Sequence, residues 1–532
     1  MSKPDKQLTA KGKEILSAFV KAASKLKRFP TRADMMSLGY SRDAIRENFT
    51  SLEKLKEVAV AQRPVLFDEI ERGQITSDDR AAELKKAVKK YKRYVVTSVV
   101  DGAPVHKGML ASLKGYCEHE NAILLLLPSG NTWDDIDPAL SSEHWVFESL
   151  SLNSNIMISS IRVPSKTVNP LTGLGRLGQR NGSTIMASPK QFFEPVAVGD
   201  SKFPHVMMST GAVTKPFYSS LNGQMRKTDT VASHDHILGA IVVEIEDDKF
   251  YHFRQLQAEP DTGAVVDLGY RYCGDKKKKY APSHFVIGDY HVTETDPFAA
   301  KAWDEIQKFT GVRKRVHHDA FSGVSINRHE QDNYVLRAKL SLECKLDLET
   351  ELREFAKMLD VETAKCDEVV IVDSNHHDFL TKHYLQHGIY LNEPNNFKIA
   401  HKLVAAVMEG KDPLRYAVEE VIGLKYPKKI RWLKRDESYC AAGIEMGAHG
   451  DKGANGSKGS PNTLERAYGN CVVGHSHSPR IVRGFWQVGT STLLRLPYTV
   501  GASSWMQTSC LVYPNGSRQL VNSICGKWRV KK

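Results

Sequence analysis

The sequence has no uninterrupted apolar stretch near the ~18–20 residues that a membrane-crossing helix needs. Its longest candidate, Ala122 to Leu127, has only the length of a buried strand, so no membrane partner is expected. The opening Met1-Ser2-Lys3-Pro4-Asp5 lacks the apolar core of a secretory signal. The eight cysteines are scattered and form no Cys-x-x-Cys pair, which argues against a zinc ribbon or a disulfide framework. Reduced thiols and a cytoplasmic setting are the expectation. No internal repeat is visible. The one Gly/Arg-rich stretch, Gly173 to Ser183, lacks the Lys-Ser/Thr ending of a P-loop and the strand-to-helix frame of a dinucleotide fingerprint. It reads as a flexible basic loop.

What is present is length and positive charge. A chain of 532 residues is too long for one core and implies about two to four domains. The net charge is +12. Basic clusters recur at Lys85 to Arg93, Lys276 to Lys279, Arg313 to Arg315, Lys428 to Arg435 and Lys527 to Lys532. Several are interleaved with Tyr91, Tyr94, Tyr280, Trp432 and Trp528, a pattern suited to phosphate contact plus base stacking. Their sum favours a polyanionic partner. Any single cluster could equally be a solvated surface.

Residues 1–70 read as helical. Ile15, Phe19, Ala22 and Leu26 lie on one helical face. Thr31 with Asp34 resembles a capping box, and Ser41 after Gly39-Tyr40 can cap a helix from Arg42 to Phe49. Helix, glycine turn and a helix bearing Arg42 and Arg46 is the helix-turn-helix plan. The stretch Pro30 to Leu52 also resembles the small repeat that accompanies homing endonucleases. A charged helical linker is expected over 71–94. Residues 95–280 mix strands and loops in a middle domain of unassigned role. Residues 281–532 alternate strand and helix, with an amphipathic helix expected over Leu346 to Leu359.

The chemistry concentrates in this last region. Val286-Ile287 runs into Gly288-Asp289-Tyr290-His291, Val369 to Val372 runs into Asn375-His376, and Val472-Val473 runs into Gly474-His475-Ser476-His477. Apolar runs that end in His, Asp or Asn predict parallel strands delivering ligands to one edge of a sheet. Carboxylate, imidazole and amide together suit a pair of cations such as Mn²⁺, Fe²⁺ or Zn²⁺.

The order Asp289-x-His291, Asp319, Asn375-His376, His449, His475-x-His477 resembles the calcineurin-like metallophosphoesterase superfamily. That resemblance implies an α/β fold whose carboxy-terminal part is a four-layer β-sandwich flanked by helices. It implies two divalent metal ions, foremost Mn²⁺, that activate a water and shield the phosphoryl oxygens. Asp319 would bridge them. Asp289, His291 and His477 would complete one site, and Asn375, His449 and His475 the other. His376 would donate a proton to the leaving oxygen. Two departures stand out. Asp319 sits in His317-His318-Asp319-Ala320 rather than after glycine. The acid that follows the histidine in the family is displaced here, which leaves Asp373 or Asp378 to orient His376. His401 is the rival to His449.

Fold and metals do not choose a substrate. The helical front end and the basic clusters favour DNA, with Arg42, Arg46, Lys428, Lys429 and Arg431 as contacts. The overall layout, with Val316 to Phe321 and Gly501 to Met506, resembles the pre-early host-DNA-degrading nucleases of T-five-type coliphages. This implies action in the host cytoplasm and leaves a homo-oligomer or a second early phage protein open as partners. Two other readings stay open. One is a phosphatase or nucleotide phosphodiesterase. The other is a non-catalytic DNA-binding host-takeover protein.

Overall fold

The computed structural model describes residues 8–530 except 27, 65–66, 68–83, 131–135, 141, 200–203, 219, 222–223 and 497–498. The first part of the charged linker expected over 71–94 therefore lies outside the described residues, as do the last two residues of the basic carboxy-terminal cluster. The chain is mixed α/β. Among the described residues no helix is long and apolar enough to cross a membrane.

A six-stranded sheet positions most of the chemistry. Its order is Ile430–Trp432, Glu368–Ile371, Lys314–His317, His284–Ile287, Thr508–Val512, Arg518–Asn522. The first four strands are parallel, with Phe285, Arg315, Val369 and Ile430 in successive register. The last two run antiparallel. Both faces are covered, so these strands read as near-continuous apolar runs. Val286, Val316 and Val370 point to one face. Phe285 and Ile287 meet Trp303 and Ile306 of the helix Pro297–Thr310 on the other. Val369 and Ile371 meet Leu352 and Phe355 of the helix Leu348–Lys365 there. That helix starts two residues later than the expected one because Asp347 caps it through the Thr350 amide.

A ten-stranded sheet packs against the inner face. Its Val472, Ile481, Trp486, Phe193 and Met208 share one core with Val286, Val316 and Val370. Its own parallel run is Ile444–Glu445, Cys471–Val473, Phe485–Gln487. Leu464 of the helix Pro461–Tyr468 covers its far side. The ligand-bearing strands thus belong to two sheets rather than the one that the apolar runs suggested. This sheet also crosses the boundary expected at residue 280. Ile481 pairs with Phe193, which joins strands from 150–209 to strands from 440–487.

A third sheet, order Tyr251–Gln257, Gly239–Ile245, Arg93–Val100, Ile123–Ser129, His144–Trp145, contains a parallel β-α-β unit around the helix Lys107–Glu120. Its Val96, Leu125, Ile241 and Phe253 enter the same core. Inside it Arg254 is buried between Asp267 and Glu244, at 2.7 and 2.8 Å. The Gly/Arg-rich stretch departs from the expected loop. Gly175–Asn181 is helical, and Gly178 packs closely on Met207 and Val196, whose side chains would have to shift by a few tenths of an ångström to admit a Cβ.

The helices Ala10–Leu26, Arg32–Ser37, Arg42–Phe49 and Leu52–Gln62 enclose Ile15, Phe19, Ile45, Phe49 and Leu55. Thr31 and Asp34 form a full capping box, and Ser41 caps the third helix.

Candidate metal centre

The carboxy-terminal ends of the parallel strands in both sheets converge on one edge. Asp289 and His291 follow His284–Ile287, Asp319 follows Lys314–His317, and Asn375 and His376 follow Glu368–Ile371. From the second sheet, His449 follows Ile444–Glu445, and His475 and His477 follow Cys471–Val473. The exits are turned sharply. His291, Asp319, His475 and His477 hold φ of 44, 42, 79 and 58°. A non-glycine residue in the left-handed region costs of order 1–3 kcal/mol and persists only where its surroundings fix it. Here backbone bonds stitch the exits together: the His291 amide donates to the Asp319 carbonyl at 2.8 Å, and the Gly474 amide to the His449 carbonyl at 2.8 Å.

The side chains meet at short range. His291 Nε2 lies 3.0 Å from His477 Nε2 and 3.8 Å from Asp319 Oδ2. His477 Nε2 lies 3.3 Å from Asp289 Oδ2. His449 Nε2 stands 3.2 Å from Asp319 Oδ2 and 3.1 Å from Asn375 Oδ1. His475 Nδ1 lies 3.2 Å from the same Asn375 oxygen. His376 Nε2 faces Asp319 Oδ2 at 3.9 Å, and its Nδ1 meets the Ser322 carbonyl at 2.5 Å. Every residue expected at the metal cluster from the sequence is in this cluster.

Its electrostatics are set by burial and by the carboxylates and imidazoles that face one another. Asp289 and His291 are fully buried, and both Asp289 carboxylate oxygens and Asp319 Oδ1 lack a hydrogen bond. Buried polar atoms without partners are costly unless another group satisfies them. Burial holds the Asp289 carboxyl well above the usual range, and nearby Asp319 adds to this. Burial alone would also raise Asp319, but His376 and His449 overcome it and hold that carboxyl well below its usual range. Burial alone would lower His449; Asp319 reverses this and lifts it to about 9. Burial pushes His475 down to about 4 and His477 to about 3. The imidazoles of His291, His475 and His477 are held neutral, the form in which they ligate divalent cations, whereas His449 beside Asp319 and the raised Asp289 carboxyl would each have to release a proton to do so. Two subsets, Asp289-His291-His477 and His291-Asp319-His376, already lie within 4.8 Å of one another in their ligand atoms.

Neither acid considered for His376 orients it. Asp373 Oδ1 lies 3.2 Å from His377 Nδ1, and Asp378 binds Lys382 at 2.9 Å. The Ser322 carbonyl holds His376 instead. His401 is exposed on the helix Pro394–Met408 against Phe397, away from the cluster.

Three contributors lie in stretches that the sequence singled out, but were not expected at the site. His318 is fully buried, stacks on His449 with ring centroids 5.7 Å apart, and has no partner for either nitrogen. Arg435 donates to the Asp373 carbonyl at 3.3 Å and to the Asp451 carboxylate, tying the Asn375 and His449 loops together. Trp505 packs on His477 with centroids 4.2 Å apart. Only the return of distant loops brings these residues to the edge.

The basic residues expected to contact DNA are divided. Arg42 and Arg46 join Arg32 along a cleft in the helical region. Lys428 is exposed, but it precedes the strand Ile430–Trp432 and so sits at the opposite end of the sheet from the cluster. Lys429 is used internally: its ammonium donates to the Thr363 and Cys366 carbonyls at 2.8 and 3.0 Å, satisfying a helix carboxy-terminus. Arg431 pairs with Glu437 at 3.2 Å and lies over Tyr439.

The chain is 28% identical over 475 residues to Protein A1 of Escherichia phage T5, an alignment that covers 83% of each chain. It is thus related to a phage protein. No family model matches the chain, and no solved structure matches it.

Proposed function

We propose that this phage-related chain is a metal-dependent deoxyribonuclease that hydrolyses DNA phosphodiester bonds and degrades host DNA in the host cytoplasm. The observation that carries the reading is the cluster itself: buried carboxylate oxygens, an amide oxygen and imidazoles from two sheets face one space at a strand-end edge. Asp289, His291, Asp319 and His477 would hold one divalent ion, and Asp319, Asn375, His449 and His475 a second, manganese foremost. When bound, such ions supply Lewis acidity at the phosphoryl group and an acidified water. The chain's own residues do the rest. Asp319 lies within 4 Å of His291, His376 and His449, so it can serve both halves of the site. Asn375 contributes an oxygen without adding charge. The Ser322 carbonyl accepts from His376 Nδ1 and leaves Nε2 facing the cluster, where a protonated imidazole can deliver its proton to a leaving oxygen. Phe379 against His376 and Trp505 against His477 wall the site on two sides.

The test is cleavage of plasmid and linear duplex DNA in Mn²⁺, Mg²⁺ or EDTA. We expect metal-dependent cleavage, abolished in Asp319→Ala and reduced by roughly 10²–10⁴ in His376→Ala. No cleavage by folded, metal-loaded protein would overturn the proposal. Turnover of a small chromogenic diester in that case would assign a nucleotide phosphodiesterase instead.

A further inference from the structure

The rim of the cluster is electrically lopsided. On the His449 side the cleft is lined by five acids, Asp373, Asp436, Glu437, Glu445 and Asp451, against two bases, Arg435, which is paired with Asp451, and the exposed Lys452. On the His376 side stand Arg328, His329 and His383; burial and the neighbouring guanidinium lower the pKa of both imidazoles, so Arg328 carries the positive charge and the imidazoles serve as neutral N–H donors. Phe379 lies there with its ring centroid 4.7 Å from His376, 5.7 Å from His329 and 6.2 Å from His383. Arg328 Nη1 donates to His383 Nε2 at 2.8 Å, which leaves the rest of its guanidinium fork directed by that bond. Arg328 and His329 are both exposed. Two acids border this group: Glu330 in the same helical turn, and Asp378, which is taken by Lys382 at 2.9 Å.

The segment that carries these residues is anchored. Glu351 is buried and accepts from the Val324 and Ser325 amides at 2.9 Å each and from the Ser325 hydroxyl at 2.6 Å. The same loop holds His376 through the Ser322 carbonyl. One buried carboxylate therefore fixes both the expected proton donor and the basic rim beside it.

We propose that Arg328, His329 and His383 form a phosphate subsite that grips the backbone of a nucleic acid strand next to the bond being cut. The proposal rests on the reading of the cluster as a nuclease centre. It adds the direction of the strand, which leaves over Phe379 and away from the acidic side. A guanidinium fork suits a phosphodiester because it can donate two parallel bonds. A small diester has no second phosphate to reach this rim, so the subsite distinguishes a polymer from a small substrate.

The test measures binding apart from chemistry. Anisotropy of a fluorescent duplex oligonucleotide is followed in EDTA over a salt series, with wild type, Arg328→Ala, Arg328→Ala/His329→Ala and Lys308→Ala. Lys308 is exposed near the end of the helix Pro297–Thr310 and controls for lost charge. The double variant is expected to bind about tenfold more weakly. Its log-log salt dependence should flatten by about one. The loss of kcat/KM on DNA should exceed that on a chromogenic diester about fivefold or more. Binding equal to that of Lys308→Ala, or equal losses on both substrates, overturns the subsite. Absent cleavage by wild type would sink the nuclease reading while leaving the binding comparison decisive for the rim.

Discussion

Replacing Gly474 with alanine should damage the proposed metal centre without substituting any of its expected ligands. A Cβ at this position would fall on Asp289 Oδ1 and stand 2.8 Å from His318 Cβ and 3.1 Å from its ring, well inside the ~3.5–4 Å of a carbon contact. Neither neighbour can withdraw easily. Asp289 and His318 are fully buried, the Asp289 amide donates to the Gly489 carbonyl at 3.1 Å, and the His318 carbonyl accepts from Tyr290 at 3.1 Å. Overpacking of this kind costs about 1–3 kcal/mol, and the strain should fall on the Asp289 carboxylate because its oxygens lack hydrogen bonds. A displacement of about 1 Å at a reacting centre costs about 10² in rate. The assay is a Mn²⁺ titration by calorimetry beside thermal melts in EDTA. Gly199→Ala is the neutral control, since its new methyl meets nothing within 4 Å. We expect Gly474→Ala to bind Mn²⁺ at least tenfold more weakly, melt a few degrees lower and lose about 10² in DNA cleavage. Mn²⁺ affinity and melting equal to Gly199→Ala would refute the reasoning, because the space behind Asp289 would then relax at no cost.

Other outcomes follow from the same structure. Glu351→Ala should destabilise the chain by about 2–3 kcal/mol, because the buried Ser325 amide and the half-buried Val324 amide lose their acceptor; urea unfolding that matches wild type would contradict the anchoring role. Burial alone would raise the Glu244 carboxyl, but Arg254 and Arg93 hold it at about 2 against an ordinary 4.5. Its depressed value gives stability that is complete above pH ~4.5 and lost as pH falls toward ~2, about 3 kcal/mol in all. Glu244→Gln should therefore be less stable at pH 7 and show a flatter acid limb, and parallel acid titrations of the two proteins would remove Glu244 from that role. Thiol titration of the native protein should find Cys344, Cys440 and Cys525 reacting fast, with Cys366, Cys471 and Cys510 reacting only after unfolding. Fast labelling of any buried thiol would mean that its sheet opens readily.

The sequence by itself determined the local units. An apolar run followed by Asp-x-His, Asn-His or Gly-His-x-His encodes both a strand and its polar exit within a few residues, so the residues that meet at the cluster could be named before any contact was known. The same holds for the helices from Ala10 to Phe49, whose caps are local, but only packing decided the buried face of the first: Ile15 and Phe19 lie inside as expected, with Leu16 and Ala23 in place of Ala22 and the exposed Leu26. Tertiary structure decided what depends on which edges pair and which loops return. The parallel register that stacks Phe285, Arg315, Val369 and Ile430, and the join of Ile481 to Phe193 across the expected domain boundary, are set by hydrogen bonds between distant segments. So are the Ser322 carbonyl that took the place expected for an acid beside His376, and the burial of His318 behind His449. Lys429 shows the same limit from the other side: its charge is plain in the sequence, but only the packed helix end at Cys366 spends it inside the protein. A residue's type fixes what it can bind, while its neighbours in space fix what it does bind.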